Sequence, residues 1–156
     1  MKNSLVARVR RFVVSDSEGG ALVEMAVTVP LVFLIMTGIF SFSTCLYQKI
    51  QLAEAVSNAG HYLAVARGDH DPCATATNSI LNGSPGLSTS LLTVTLSQNG
   101  TTLPASCPGS GTNGASSTLI QGANVQVNAT YQTGLAVYGT PYSSINLGSQ
   151  ITEVVQ

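Results

Sequence analysis

The chain has 156 residues, of which only 8% are charged, and its formal net charge is −1. Its six Lys and Arg residues are too few for the cationic footprint that neutralises phosphates, which excludes a conventional nucleic-acid-binding protein. From Pro72 to Thr152 run 81 consecutive residues without Asp, Glu, Lys, Arg or His, so half the chain lacks the groups used for proton transfer, which counts against an acid–base enzyme.

In chain order, Leu5, Val6, Val9, Phe12 and Val13 recur at helical spacing beside Arg8 and Arg11. The pattern predicts a short amphipathic helix suited to the anionic inner face of a membrane. Next come Ser15, Asp16, Ser17, Glu18, Gly19 and Gly20. Ser15 and Glu18 have capping-box spacing, but two glycines follow where a helix would propagate, each costing about 1 kcal/mol against Ala. The expectation is a small, polar, flexible joint open to a peptidase.

Met25 to Tyr47 is an uncharged run of 23 residues. As a helix it spans roughly 34 Å, enough for a hydrocarbon core of about 30 Å. It is too long for the apolar core of a signal peptide, and no A-x-A site follows, so a retained anchor is expected. Lys2, Arg8, Arg10 and Arg11 precede it, against Lys49 and Arg67 after it. The positive-inside rule therefore places the N-terminus in the cytoplasm and the residues after Tyr47 outside.

Glu24 lies at the edge of this run, where a carboxylate left near the bilayer centre costs on the order of 3 kcal/mol. Either it reaches the headgroups, or it meets a positive partner in an assembly. A cut between Gly19 and Gly20 would make it the fifth residue, with a new α-amino group about one and a half turns away. Carboxylate and amine on staggered parallel helices could then neutralise each other. Pro30 lacks the N–H that would bond the Ala26 carbonyl and is expected to kink or loosen the helix there.

Beyond Tyr47, Leu52, Val56, Ala59, Leu63 and Ala66 form an apolar stripe, and Gly68 and Pro72 mark the helix end. A helix from Ala21 to Arg67 would be roughly 70 Å long, about twice a membrane's thickness, so its second half must cover a head domain. Leu92–Ser97 alternates as a strand, and Gln98-Asn99-Gly100-Thr101 is a hairpin turn into Thr102 and Leu103. Asn124–Thr133 and Ser144–Val155 read as further strands, with Ala105–Gln121 and Gly134–Ser143 as loops. A helix on three or four antiparallel strands is an α+β arrangement.

Cys73 and Cys107 fall outside the membrane in this orientation, where a disulfide between them is expected, while Cys45 in the apolar run serves as a small hydrophobe. No CxxC is present, so no zinc site and no cofactor are expected. Asp69, His70 and Asp71, with His61 nearby, read as a solvated linker in preference to a metal site. Arg67-Gly68-Asp69 is too short a match to an integrin-binding tripeptide to carry weight. The sequons at Asn82, Asn99 and Asn128 matter only in a glycosylating host. No nucleophile motif supports a hydrolase triad.

Gly19-Gly20-Ala21-Leu22-Val23-Glu24-Met25-Ala26, the apolar run with Pro30, Gly38-Ile39-Phe40, Tyr47 and Ala59-Gly60-His61-Tyr62-Leu63-Ala64 together resemble TadE-like proteins. The resemblance is good over residues 19–66 and looser in the strands near the C-terminus. TadE-like proteins are pseudopilins, or minor pilins, of the tight-adherence (Tad/Flp) branch of type IV pili. It implies a pilin-like lollipop, with a cleaved cytoplasmic leader (1–19), a transmembrane and assembly helix (20–47), an extracytoplasmic half-helix (48–68) and a β-rich head (69–156). It also implies cleavage by a prepilin peptidase after Gly19, the glycine that puts Glu24 at the fifth position; cleavage after Gly20 would leave it at the fourth. Met25 departs from the pattern, since an aromatic often stands there. The implied partners are other pilins, packed through their N-terminal helices, the prepilin peptidase and the assembly platform of the bacterial cytoplasmic (inner) membrane. The protein would then be structural and not an enzyme, and could end in an extracellular pilus. The alternative is an uncleaved single-pass anchor carrying an extracytoplasmic binding domain, for a polysaccharide or a surface partner.

Overall fold

The structure, a computed structural model, describes residues 16–109, 117–137 and 140–156. The expected amphipathic stretch from Leu5 to Val13 lies outside them. The chain divides into two compact units, Met1–Phe40 and Ser41–Gln156.

Within the described part of the first unit every residue is helical, belonging to helix α1 (Asp16–Val65). Val, Ile and Thr are mediocre helix formers in water, whereas in a membrane backbone groups would have to bond within their own segment. The threonine hydroxyls follow the same rule, since Thr28 Oγ1 donates to Glu24 O (2.9 Å) and Thr37 Oγ1 to Leu34 O (2.9 Å). The structure corrects the expected joint, because Gly19 and Gly20 are helical and α1 already begins at Asp16. The two glycines lower helix propensity without breaking the helix. The loosening expected at Pro30 does not interrupt α1 either.

The second unit is built on residues 41–65 of α1, followed by a 3-10 turn at Ala66–Gly68. A second helix, α2 (Pro72–Gly83), then precedes four strands: β1 (Leu92–Gln98), β2 (Thr101–Thr102), β3 (Asn124–Val137) and β4 (Thr140–Val154). The strands form one antiparallel sheet in the order β2-β1-β3-β4. The expected α+β class is therefore observed. Asn99 and Gly100, both at positive φ (50° and 83°), form the two-residue turn between β1 and β2 that the Asn-Gly pair predicts.

Period two sorts the sheet into two faces. Val125, Val127, Ala129, Tyr131 and Leu96 turn inward and are buried with Leu52, Val56, Ala59 and Leu63 of α1 and with Ile80 of α2. Each fully buried Leu, Val or Ile contributes about 1.5–3 kcal/mol. Thr93, Thr95, Asn128, Thr130, Gln150 and Thr152 are exposed and make the opposite face polar and uncharged. The segment 117–120 is held to β1 by the Gln98 amide; in the orientation that satisfies both of its ends, Nε2 donates to Thr118 O (2.7 Å) and Oε1 accepts from Ile120 N (2.8 Å).

Two expectations are corrected. The described residues of 134–143 are strand where a loop is expected: β3 runs to Val137 and β4 starts at Thr140, paired up to Val137↔Thr140, with a register shift between Leu135 and Ala136. Residues 72–83, where no helix is expected, form α2. Asp71 caps it by accepting from Ala74 N (3.1 Å), and Pro72 stands in its first turn, where a missing N–H costs nothing.

Candidate assembly site

The residues expected to mediate processing and assembly lie in α1. Gly20 is exposed, and a Cβ added there would meet nothing within 4 Å. Glu24 is exposed one turn later, and among the described residues it forms no ion pair. Around it Leu22, Val23, Met25 and Val27 are each more than 60% exposed, and exposed apolar side chains continue through Leu31, Phe33, Ile35, Ile39 and Phe40. Such an exposed apolar surface is what a membrane anchor or a helix-packing face would carry. Among the described residues, the stretch Gly20–Gly68, formed by α1 and the 3-10 turn after it, is the one long and apolar enough to cross a membrane.

In the second unit, Cys73 and Cys107 form the expected disulfide, with Cα atoms 5.4 Å apart, and both are buried. Three hydrogen bonds to Asp71 hold this corner. Oδ1 accepts from Ala74 N and from Cys107 N (2.9 Å), and the Ser106 hydroxyl donates to Oδ2. The Ser106 hydrogen bond, followed by those from Ala74 and Cys107, lowers the Asp71 pKa below the usual carboxylate value. Asp69 accepts from the Tyr62 hydroxyl and from His70 N (2.7 Å), and the Tyr62 bond is the main reason its pKa is lowered. Partial burial first, and then the bond to Asp69, raises the Tyr62 pKa.

The stretch Asp69–Asp71 is an irregular, partly exposed link after α1, as expected, and its two carboxylates also fasten that link to its surroundings. Among the described residues no three His, Cys, Asp or Glu side chains are grouped as metal ligands. The Asp71-Pro72 pair, a capping residue before proline, was the signal in the sequence for both α2 and the fastening. Gly60 is a second residue whose role emerges only in three dimensions: a Cβ there would lie 2.4 Å from Ile151 Cγ2, so only glycine lets α1 approach β4 this closely. Nearby His61 Nδ1 and Glu153 Oε1 are 3.1 Å apart.

On the outer face of the sheet is a hollow of about 390 Å³ whose lining includes Ser90, Thr93, Thr130, Gln132 and Asn146. It offers hydroxyls and amides and no charge.

The fold and this helix define an α+β protein with one candidate membrane anchor, its apolar α1 segment. Residues 19–61 match the family model described as TadE-like protein. The matched segment contains Gly20, Glu24, Met25, Pro30 and Gly60, and the match is consistent with a TadE-like protein of the tight-adherence pilus system. No curated protein and no solved structure shows significant similarity to the chain.

Proposed function

We propose that this chain is a structural pseudopilin, or minor pilin, that takes part in assembling a tight-adherence pilus or a related secretion apparatus. The observation that carries the reading is Glu24, an exposed carboxylate within an apolar helical surface inside the TadE-like segment. In this reading residues 20–47 hold the chain in the bacterial cytoplasmic membrane, with the basic N-terminus inside and the head outside. A prepilin peptidase cuts after Gly19, and Glu24 meets the α-amino group of a neighbouring pilin, so that both charges are neutralised among apolar helices. The assembly platform of the inner membrane then draws the subunit into a filament.

Intact mass of the chain purified from its membrane tests processing: a start at Gly20 supports the reading, and a protein still carrying Met1 sinks it. The Glu24→Val variant is expected to insert normally but to lose co-purification with partner pilins by an order of magnitude or more, since removing one partner of a buried pair costs about 3–5 kcal/mol. Undiminished co-purification would remove the role given to the glutamate.

The uncharged hollow on the sheet favours a second reading, an uncleaved anchored domain that binds a polysaccharide or a surface partner. Hydroxyl and amide groups such as Thr130 and Asn146 suit a neutral polyol. Retention of residues 1–19 together with saturable glycan binding that Asn146→Ala abolishes would favour it over the pilin.

A further inference from the structure

Alternate residues of an antiparallel strand turn their N–H and C=O to the same side. At the end of β4, Val155 faces β3, because its N–H donates to Ala123 O and its C=O accepts from Gly122 N. The even-numbered residues before it therefore face away from the sheet. On that side Gly148 O accepts from Lys49 Nζ and Gln156 N donates to Ala64 O (2.9 Å). Between them Gln150, Thr152 and Val154 are exposed, and among the described residues no backbone hydrogen bond reaches their outward groups. Sheet edges are commonly guarded by Lys or Pro, and residues 143–154 contain neither. At the opposite edge Leu103 N donates to Leu96 O (2.8 Å), so Thr102 of β2 turns its N–H and C=O outward.

Strand direction selects which edges can meet. Contacts between β4 and α1 follow the same order along both: Gly148 with Lys49, Ile151 with Gly60, Glu153 with His61 and Gln156 with Ala64. This part of α1 is thus parallel to β4. In the order β2-β1-β3-β4 each strand is antiparallel to the next, so β2 is antiparallel to β4. Two copies joined β4 to β4 as antiparallel strands would carry their α1 helices in opposite directions, which anchoring in one membrane forbids. Two copies with parallel helices bring β4 of one beside β2 of the other, antiparallel and with the same sheet face outward.

The rows of the sheet set the register. Thr102 pairs with Ser97, Ser97 with Gln126 and Gln126 with Thr152, so these four residues form one row. A copy displaced along that row places its Thr102 opposite Thr152, and both residues turn their backbone groups towards the gap. The row is already linked by side chains, since Ser97 Oγ donates to Gln126 Oε1 (3.4 Å) and Gln126 Nε2 to Thr152 Oγ1 (3.5 Å). The Thr152 hydroxyl keeps its own proton for the Thr102 hydroxyl of the next copy. The stretch from Pro72 to Thr152 carries no charge that would repel a second head. We infer that copies of this chain standing side by side join their sheets head to tail, Thr102 of one against Thr152 of the next. The inference rests on the reading of α1 as the membrane anchor. A contact between unlike edges repeats without closing on itself. With two backbone hydrogen bonds and one threonine pair it is far smaller than a standard interface, and it serves copies that the membrane already concentrates.

Cysteine cross-linking tests this in full-length chains carrying Cys45→Ala, reconstituted into phosphatidylcholine vesicles and oxidised with copper phenanthroline. Within one chain positions 102 and 152 are three strand spacings apart, roughly 14 Å, too far for a disulfide. Thr102→Cys combined with Thr152→Cys should give a ladder of dimers, trimers and larger species, several-fold stronger than either single variant. Thr102→Cys combined with Gln150→Cys, which sets the cysteines on a diagonal, should give several-fold less. Dimers from Thr152→Cys alone, equal ladders from both combinations, or no ladder at all would overturn the head-to-tail contact. Val27→Cys on the exposed anchor separates the two readings. If Val27→Cys cross-links while the heads do not, the sheet contact fails and the side-by-side helices stand. If neither cross-links, the side-by-side arrangement fails and the sheet contact with it.

Discussion

Gly60 offers the sharpest test of how the head is packed. An alanine Cβ at this position would lie 2.4 Å from Ile151 Cγ2, more than 1 Å inside the 3.5–4.0 Å at which carbon atoms attract. Ile151 is β-branched and its Cγ2 sits close to the strand backbone, so the atom cannot swing away as the end of a long side chain could. Overpacking of this kind costs about 1–3 kcal/mol, while Gly→Ala inside a helix returns about 1 kcal/mol. Gly60→Ala should therefore destabilise the head by up to about 2 kcal/mol in the native background. Ile151→Ala removes the obstructing atom, and in that background the same substitution should stabilise by about 1 kcal/mol. The sign inverts, with a coupling of about 1–3 kcal/mol between the two positions. Thermal unfolding of the full chain in detergent, followed by the near-ultraviolet signal of the tyrosines, reads each step as about 4 °C per kcal/mol for a unit of this size. An equal effect of Gly60→Ala in both backgrounds would refute the close approach of α1 to β4.

Three further outcomes follow from the fastening at the end of α1. In the chain-entropy model the disulfide, with a sequence separation of 34, contributes about 3–4 kcal/mol, so the double variant Cys73→Ser, Cys107→Ser should unfold at a clearly lower denaturant concentration with little change in helix content. Folding lowers the pKa of Asp71 from its reference of 3.8, so its contribution is complete above that value and is lost as the pH falls through the lower folded value. Acid unfolding of Asp71→Asn should be correspondingly flatter below about pH 4, and a profile identical to the native one would show that the carboxylate is not linked to folding. The Tyr62 pKa is raised, so deprotonation above about pH 10 should weaken its link to Asp69, and Tyr62→Phe should remove that part of the alkaline transition.

The elements that were legible in the sequence are those in which one physical rule dominates. The 23-residue uncharged run needs only length and hydropathy, the Asn99-Gly100 turn needs only positive φ, and Val125, Val127, Ala129 and Tyr131 need only period two. The cysteine pair followed from the expectation that both residues lie outside the membrane. Helix α2 was hidden because Pro72-Cys-Ala-Thr-Ala-Thr-Asn-Ser is rich in residues that prefer turns, and Pro72 reads equally well as a helix stop or a first turn. Only the capping aspartate before it breaks the tie. The continuation of β3 and β4 past Thr133 was hidden by Gly134, Gly139 and Pro141, which as a set signal a loop; the paired strands, with a register shift, accommodate Gly134 and Pro141. Gly60 could not be recognised at all, since its partner, Ile151, is 91 positions away.

The disulfide also has a mechanical consequence. A subunit held by its helix and pulled through its head feels tension along the backbone, and a chain under load lengthens by whatever contour it can release. The bond between Cys73 and Cys107 locks away the 34-residue stretch containing α2, β1 and β2, about 115 Å of extended chain. Under load the head can give up β3 and β4 yet keep this knot intact, so its extension has a hard limit set by a covalent bond and not by the strength of its core.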